Sequence, residues 1–203
     1  MVQRHFLGAF LKLHKIMQTV LVNMYEWCVS KMDTVKCQQF VDMSDREQAD
    51  LLHIIRMGFP NHEQGTEFLM LHFLYSVHAI ITYRRFGRIV GILCLTDMDR
   101  DTIDAYVSKG LVVENLEVCT NITNVCVHPS LQRRGIGTHL VQAYLNMLPR
   151  DSEVFLHVDV NCGDPDKGPH NDLVRWYRRL QFTVQYTNRV ETCMYLKKRE
   201  WCI

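Results

Sequence analysis

The pattern of apolar and polar residues along the chain predicts strands and helices that share one sheet-containing domain. Apolar runs and two-residue alternations predict strands at 35–41, 78–85, 88–97, 116–127, 153–160, 182–188 and 191–198. Apolar residues spaced three and four apart predict helices at 44–60, 66–77, 135–148 and 171–180, with one or two helical turns in the polar connection 97–110. Because the two kinds of element do not alternate strictly, we expect a mixed α/β fold, with one mixed central sheet and helices on both faces.

Short local signals define the ends and faces of these elements. Ser44 and Glu47 have the spacing of a capping box, so a helix should begin just after Ser44. Phe86–Gly87 separates two strands that should pair as a hairpin. Within 153–160 the even positions are apolar, so the odd positions, His157 among them, should share the opposite face of the sheet.

The first 33 residues predict a separate element, an amphipathic helix. Its apolar residues step by four and three positions, as in a heptad seam: Phe6, Phe10, Leu13, Met17, Val20, Met24 and Trp27. Packing on its own domain is the favoured interpretation, with a homodimer contact or a mitochondrial presequence as alternatives. Polar residues interrupt the segment before the ~18 apolar residues that a membrane span needs. The chain therefore divides into a helix at 1–33 and a domain at 34–203, and we expect no membrane contact.

Composition limits the class of protein. The chain has 203 residues, 47% hydrophobic and 22% charged, with a formal net charge of +1. This balance is ordinary for a globular domain and gives no general case for nucleic-acid binding, which needs a concentrated basic face. None of the eight cysteines forms a C-x-x-C pair, and no Cys/His spacing matches a zinc site. We expect no metal ion. The thiols should be free, in a reducing intracellular compartment, the cytoplasm with the nucleus as alternative; a disulfide framework is the less favoured interpretation.

A glycine-containing turn joins a predicted strand to the helix that follows it. The segment QRRGIGTHL places Gly135 and Gly137 where the helix begins. A helix start presents backbone N–H groups at the positive end of the helix dipole, and glycine lets a ligand approach the backbone closely. The amides of residues 133–138, with the charged side chains of Arg133 and Arg134, therefore predict an anion site suited to a pyrophosphate.

Five positions of this segment resemble a known family: Val127, Pro129, Gln132, Gly135 and Gly137. In the register V-x-P-x-x-Q-x-x-G-x-G they resemble motif A of the GNAT superfamily of acetyl-CoA-dependent N-acetyltransferases. The order of elements from residue 35 to 198 is also similar to that fold. The resemblance implies that the turn holds the pyrophosphate of acetyl-CoA and that the preceding strand pairs with its pantetheine arm. The residues implied in binding are Cys126, Val127, Gln132, Arg133, Arg134, Gly135, Ile136, Gly137, Thr138 and Asn171.

A second segment, 171–182, is similar to a later signature of the family, an Asn-led helix that carries a tyrosine and closes with Gly-Phe. Asn171, Tyr177, Leu180 and Phe182 fall on matching positions. Gln181 replaces the usual glycine, which weakens the expectation of a tight turn after the helix. The resemblance implies that Tyr177 is the general acid that protonates the departing CoA thiolate.

The general base is the least defined part of the predicted site. Many members of the family carry a glutamate on the strand before the motif, but Asn121 occupies that place and cannot accept a proton. Glu117 and Asp159 are the candidate catalytic carboxylates, and His157 is a further candidate that could act through a water. Loss of the proton to ordered water, without a dedicated base, is the remaining alternative.

The resemblance implies transfer of an acetyl group to a primary amine by direct attack in a ternary complex. The amine is expected to be a protein lysine or N-terminus, or a small polyamine-like molecule, since Asp104, Asp164 and Asp166 would attract a cation. Ordinary solvation of these loop carboxylates is the alternative interpretation. The alternative is a catalytically impaired acyl-CoA-binding or structural module of the same fold, which the missing glutamate favours.

Overall fold

The computed structural model describes residues 33–58, 71, 73–110, 113, 119–159, 169–187 and 191–197. Several sequence predictions lie outside these residues. They are residues 1–32 of the predicted amphipathic helix with its dimer contact, Glu117, and the loop that carries Asp164 and Asp166.

The elements within the described ranges follow the predicted order. The strands are β1 (Thr34–Gln38), β2 (Ala79–Arg85), β3 (Arg88–Asp97), β4 (Cys119–Val127), β5 (Glu153–Asp159), β6 (Thr183–Thr187) and β7 (Glu191–Lys197). The helices are α1 (Asp45–Gly58), α2 (Arg100–Val107), α3 (Ile136–Met147) and α4 (Pro169–Arg179). Residues 71 and 73–76 are helical as well.

All of these strands join one sheet in the order β1-β2-β3-β4-β5-β7-β6. The pair β4 and β5 is parallel, and every other neighbouring pair is antiparallel. The helix α3 supplies the crossover that a parallel pair needs. The prediction of a mixed α/β fold around one mixed sheet is therefore confirmed.

Two local predictions are confirmed at the ends of elements. The Ser44 N–H donates a hydrogen bond to Glu47 Oε2 over 2.7 Å, and the Ser44 hydroxyl donates to the same oxygen over 2.8 Å. In the hairpin of β2 and β3, Phe86 and Gly87 have φ values of 52° and 71°. Two left-handed residues in a row match the twist of paired strands, so this turn suits a tight hairpin.

The first strand is shorter than the sequence predicts. A strand was expected at 35–41, but β1 ends at Gln38, and Phe40–Asp42 form a 3-10 turn. Phe40 is 1% exposed and packs in the layer that contains the apolar side chains of α1. The chain bends after β1 because this ring enters the core.

The sheet separates two apolar layers. On the face that we call the α3 face, α3 and α4 pack on a layer that includes Ile122, Leu140 and Leu156. On the opposite face, the α1 face, α1 and residues 73–76 pack on β2 and β3, and α2 packs on Phe155 of β5. Leu156 and Phe155 therefore point to opposite faces, as the alternation in β5 predicts.

All five cysteines within the described residues are free thiols. Cys37 is exposed, whereas Cys94, Cys119, Cys126 and Cys193 are buried in the apolar layers. Burial raises the pKa of Cys119 and that of Cys193 to about 12. These thiols therefore stay protonated and pack as small apolar side chains, as the sequence predicts.

Candidate active site

The strands β4 and β5 pair along only part of their length. Their parallel ladder joins Cys119–Ile122 to Glu153–Leu156 and ends there. Beyond that point β4 stays paired with β3 up to Val127, while β5 stays paired with β7 up to Asp159. The two strands therefore part, and we call the gap between them the fork.

A β-bulge in β4 lies where the fork begins. The ladder from β3 skips Thr123, because Ile122 and Asn124 pair with consecutive residues of β3. The Thr123 hydroxyl donates a hydrogen bond to the Cys94 carbonyl over 3.1 Å, which fixes the bulge on β3. A bulge bends its strand, and this bend accounts for the departure of β4 from β5.

The backbone beyond the bulge presents hydrogen-bonding groups to the fork. The His128 N–H donates to the Val90 carbonyl of β3 over 2.9 Å. Since successive residues of an antiparallel strand face opposite neighbours, Val125 and Val127 direct their N–H and C=O groups away from β3. Cys126, which the sequence suggested for ligand contact, directs its backbone to β3, and its thiol is buried in the α1-face layer. Val125 therefore takes its place at the edge of the fork.

The turn after β4 is closed by one of the predicted residues. Gln132 Nε2 donates a hydrogen bond to the Val127 carbonyl over 3.1 Å. Arg133 and Gly135 have φ values of 61° and 83°, both in the left-handed region. This region is uncommon for a residue with a β-carbon, so the sharp turn imposes it on Arg133. Gln132 thus closes the turn, and α3 begins at Ile136, directly after Gly135.

The helix α3 begins without a side chain that caps it. Its first hydrogen bond runs from the His139 N–H to the Gly135 carbonyl over 2.9 Å. The N–H groups of Ile136, Gly137 and Thr138 come before that bond and lie at the positive end of the helix dipole. A β-carbon at Gly135 would have no atom within 4 Å. The helix start is therefore open to a ligand that carries negative charge.

Two residues that the sequence did not single out position this helix start. Trp176 Nε1 on α4 donates a hydrogen bond to Thr138 Oγ1 over 3.0 Å, and its ring lies 3.4 Å from the place of a β-carbon at Gly137. A β-carbon at Gly91 of β3 would lie 2.8 Å from Ile136 Cγ2. Glycine at that position therefore lets α3 approach the sheet closely. A glycine inside an apolar strand is the signal that could have revealed this approach.

Tyr177 lies on α4, and its ring belongs to the α3-face layer. The residue is 8% exposed, and its ring centroid lies 4.4 Å from that of Trp176 and 5.6 Å from that of Phe182. The Phe182 N–H donates to the Tyr177 carbonyl over 3.1 Å. Gln181 adopts a φ of 70°, the conformation that glycine commonly takes after a helix. The turn after α4 is therefore tight despite the missing glycine.

Two polar side chains lie on the α1 face beside the fork. His157 is the first residue of β5 beyond the parallel ladder, and Asn121 lies within that ladder on β4. His157 Nε2 and Asn121 Oδ1 are buried, and neither has a hydrogen-bond partner among the described residues. Burial lowers the pKa of His157; Glu191 acts against this shift and Lys109 adds to it. The imidazole is therefore mainly neutral at pH 7 and able to accept a proton.

Other predicted residues are located only in part. Arg133 and Arg134 lie in the turn with exposed side chains. Asp159 belongs to β5 and Asn171 to α4, but only their backbones are among the described atoms, and Glu117 lies outside the described residues. The geometry therefore brings the helix start, the edge of β4 and His157 to one fork, and the roles of the carboxylates stay predictions.

The segment that contains the turn decides the family. Residues 48–168 match the sequence model of the acetyltransferase (GNAT) family. The chain belongs to the GNAT acetyltransferase family. This membership supports acyl transfer as the general activity of the protein. The matched segment ends just before α4, so it includes the turn after β4 and leaves out Tyr177.

Several solved structures are similar to this chain in fold. PH1933 from Pyrococcus horikoshii OT3 is 13% identical, with a TM-score of 0.56 over 81% of this chain and 98% of that one. A GNAT acetyltransferase from Bacillus cereus ATCC 10987 is 15% identical, with a TM-score of 0.54 over 82% and 97%. The PaiA N-acetyltransferase from Thermoplasma acidophilum, solved in complex with coenzyme A, is 10% identical, with a TM-score of 0.52 over 81% and 99%. No curated protein sequence matches the chain.

The part of the chain that the structure describes lacks a membrane-crossing helix and a metal-binding cluster. None of its helices has the length and apolar character needed to cross a membrane. The same residues contain no group of three or more His, Cys, Asp or Glu side chains that could hold a metal ion.

Proposed function

We propose that the protein is an N-acetyltransferase that moves the acetyl group of acetyl-CoA to a primary amine. One observation carries the proposal: the uncapped start of α3 lies beside the edge of β4 that borders the fork, since a β-carbon at Gly137 would lie 3.8 Å from Val127 Cγ2. An anion site and a row of backbone hydrogen-bonding groups thus lie end to end. A ligand with a phosphate head and an amide-containing arm suits both, and acetyl-CoA has that composition.

The start of α3 would hold the pyrophosphate of acetyl-CoA. The N–H groups of residues 136–138 would donate to its oxygens, with support from the dipole of a 12-residue helix. Gly135 leaves space for a close approach, since a β-carbon there would meet no atom within 4 Å. The exposed side chains of Arg133 and Arg134 would add charge-assisted hydrogen bonds.

The edge of β4 would hold the pantetheine arm and the thioester. The Val127 carbonyl already accepts a hydrogen bond from Gln132, so the Val127 N–H is the group that this residue offers to a ligand. The Val125 N–H faces the fork as well. A backbone donor fixed in this way stabilises the negative charge that a thioester oxygen gains during the reaction.

Acetyl-CoA supplies an acetyl group activated as a thioester, for direct attack by the amine in a ternary complex. Tyr177 is the proposed general acid for the departing thiolate. Its ring contacts Trp176, and Trp176 is hydrogen-bonded to the first turn of α3. These contacts support a place for Tyr177 in the same site as the helix start.

The acceptor in this proposal is a protein lysine, a protein N-terminus or a small polyamine-like amine. Asp104 is exposed on α2 and would attract a cation to the α1 face. A homodimer through the N-terminal helix and a cytoplasmic location stay predictions from the sequence. So do the roles of Glu117, Asp159 and Asn171.

Release of the CoA thiol tests the activity. The protein is incubated with acetyl-CoA and, in turn, a lysine-containing peptide, a peptide with a free N-terminus and spermidine. Thiol release with at least one of these amines, and little without an amine, is the expected result. CoA binding without thiol release across the three amines would support the second candidate, an impaired acyl-CoA-binding module. That candidate is favoured by the presence of Asn121 where many members of the family carry a carboxylate.

A matched pair of variants tests the pyrophosphate site. Gly135→Asp should weaken CoA binding by about 100-fold, because its carboxylate would lie against the phosphates. Gly135→Asn has nearly the same shape, carries no charge and tolerates the left-handed backbone, so it should lose about tenfold at most. Calorimetry with CoA gives both dissociation constants. Equal losses in the two variants would contradict the site.

A further inference from the structure

Two buried polar atoms lie on the same face of neighbouring strands. Within the described residues, three side chains have a buried nitrogen or oxygen without a hydrogen bond: Gln38, Asn121 and His157. Asn121 and Phe155 are register partners in the parallel ladder, so their side chains share the α1 face. His157 lies two residues beyond Phe155 on β5 and points to the same face.

Ideal sheet geometry places these two residues at neighbouring positions on one face. A strand spacing of about 4.8 Å and a rise of about 3.3 Å per residue place their Cα atoms about 8 Å apart. Proteins commonly satisfy buried polar atoms of this kind with an ordered water that makes two to four hydrogen bonds. Asn121 Oδ1 can accept from such a water, and His157 Nε2 can accept from it when the imidazole is neutral.

This pair lies at the closed end of the fork. The parallel ladder ends at Leu156, and His157 follows it directly. In the proposed function, on which this inference rests, the ligand arm runs from the start of α3 along Val127 and Val125 toward that closed end. Its acyl group would then come next to Asn121 and His157.

The groups around His157 come from three further elements. Tyr106 of α2 stacks on the imidazole, with ring centroids 4.6 Å apart and 23° between the planes. Lys109, just after α2, has its Nζ 3.8 Å from Glu191 Oε1 of β7. The Tyr186 hydroxyl of β6 donates to the same Glu191 oxygen over 3.1 Å. The carboxylate of Glu191 is therefore engaged by two groups other than His157.

The remaining titratable neighbour is Cys193, the register partner of His157 on β7. Burial raises the pKa of its thiol to about 12, so it stays neutral. Burial lowers the pKa of His157 itself, against the opposing effect of Glu191 and together with that of Lys109. The imidazole therefore stands mostly unprotonated at neutral pH, stacked on an aromatic ring and without a fixed partner for Nε2.

We propose that His157 accepts the proton of the acceptor amine through a water that Asn121 orients. The histidine then performs the task of the carboxylate that β4 lacks. The histidine acts from β5, and a water carries the proton to it. Asn121 on β4 orients that water and takes no proton, so it is a positioning residue.

The proposed reaction balances in protons, with His157 as the acceptor and Tyr177 as the donor. The amine arrives as an ammonium ion and gives one proton, through the water, to His157 Nε2, which later releases it to solvent. The freed lone pair forms the C–N bond with the acetyl carbon, and the C–S bond breaks. The thiolate takes a proton from Tyr177, and the proton lost by the new amide nitrogen restores Tyr177 through solvent. The products are the N-acetylated amine and CoA thiol.

His157→Gln is the variant that tests this proposal, with His53→Gln on the exposed surface of α1 as its control. Both are assayed with the best amine from the thiol-release panel between pH 5 and 9. We expect kcat of His157→Gln to fall on the order of 100-fold at pH 7, with the KM for acetyl-CoA within about twofold of the unsubstituted value. The unsubstituted protein and the control should share one pH profile, which levels off above the pKa of the histidine. The rate of His157→Gln should instead keep rising until the amine itself loses its proton.

Further variants make the result independent of one substitution. His157→Asn is assayed beside His157→Gln, and CoA binding is measured for each by calorimetry to show that the fold is intact. Asn121→Ala should lose about tenfold in kcat and keep the profile that levels off, because the histidine remains. A normal rate and profile in the His157 variants would overturn the proposal and leave N-acetyl transfer standing. No thiol release by the unsubstituted protein with any of the amines would overturn both.

Discussion

At the scale of single residues, the turns around the fork depend on unusual backbone conformations. Arg133 and Gly135 before α3, and Gln181 after α4, all have positive φ values. Such a conformation costs a residue with a β-carbon about 1 kcal/mol or more. Two residues that are not glycine therefore carry strain at the ends of the helices that flank the fork. Strain of this kind is common beside functional sites.

Tyr177→Phe tests the proposed general acid at this scale. The variant keeps the ring that packs between Trp176 and Phe182, so CoA affinity and the thermal midpoint should stay nearly unchanged. Loss of the hydroxyl should lower kcat by about 100-fold at pH 7. Tyr75→Phe, an exposed tyrosine, is the matched control. A normal kcat in folded Tyr177→Phe would show that the tyrosine has only a packing role.

At the scale of elements, the seating of α3 on the sheet decides where its first N–H groups point. Gly91 of β3 allows Ile136 to lie directly against the strand. Trp176 of α4 fixes the same turn from the other side through Thr138. The helix start is therefore held between a strand and a second helix. A displacement of a few tenths of an ångström at either contact would move the N–H groups that are proposed to bind the phosphates.

Gly91→Ala should disturb that seating. Its β-carbon would lie 2.8 Å from Ile136 Cγ2, so α3 must shift, and we expect a loss of about 2 kcal/mol in the free energy of unfolding and weaker CoA binding. Adding Ile136→Leu removes Cγ2 and should restore part of both losses. Urea unfolding and calorimetry of the two single variants and the double variant measure this coupling. Strictly additive losses would contradict the contact.

The order of the elements and the turn after β4 could be predicted from the sequence, because their signals are local. Apolar periodicity reveals a strand or a helix, and Gly135 marks the left-handed residue before α3. The end of β1 was missed because it depends on where Phe40 is buried. The placement of Asn121 and His157 on one face of the sheet and the bulge at Thr123 could not be predicted. Both depend on the register of β4 against β3 and β5, which the sequence of a single strand does not determine.

At the scale of the whole molecule, the sheet is the central layer, and helices pack on both of its faces. The helices α3 and α4 cover one face, and α1 and α2 cover the other. The fork between β4 and β5 lies between these layers. In the proposed function the phosphates lie at the start of α3, while His157 and Asn121 meet the amine on the α1 face. The two substrates thus approach the same gap from different sides.

A titration of the isotope-labelled protein with CoA, followed through its backbone amide NMR signals, tests this account most directly. The amides of residues 135–138, Val125 and Val127 are predicted to show the largest shifts, and the exposed start of α1 at Asp45 should show little change. Saturating CoA that leaves the amides at the start of α3 unmoved, or that shifts a different set, would contradict the central claim that this helix start binds the pyrophosphate.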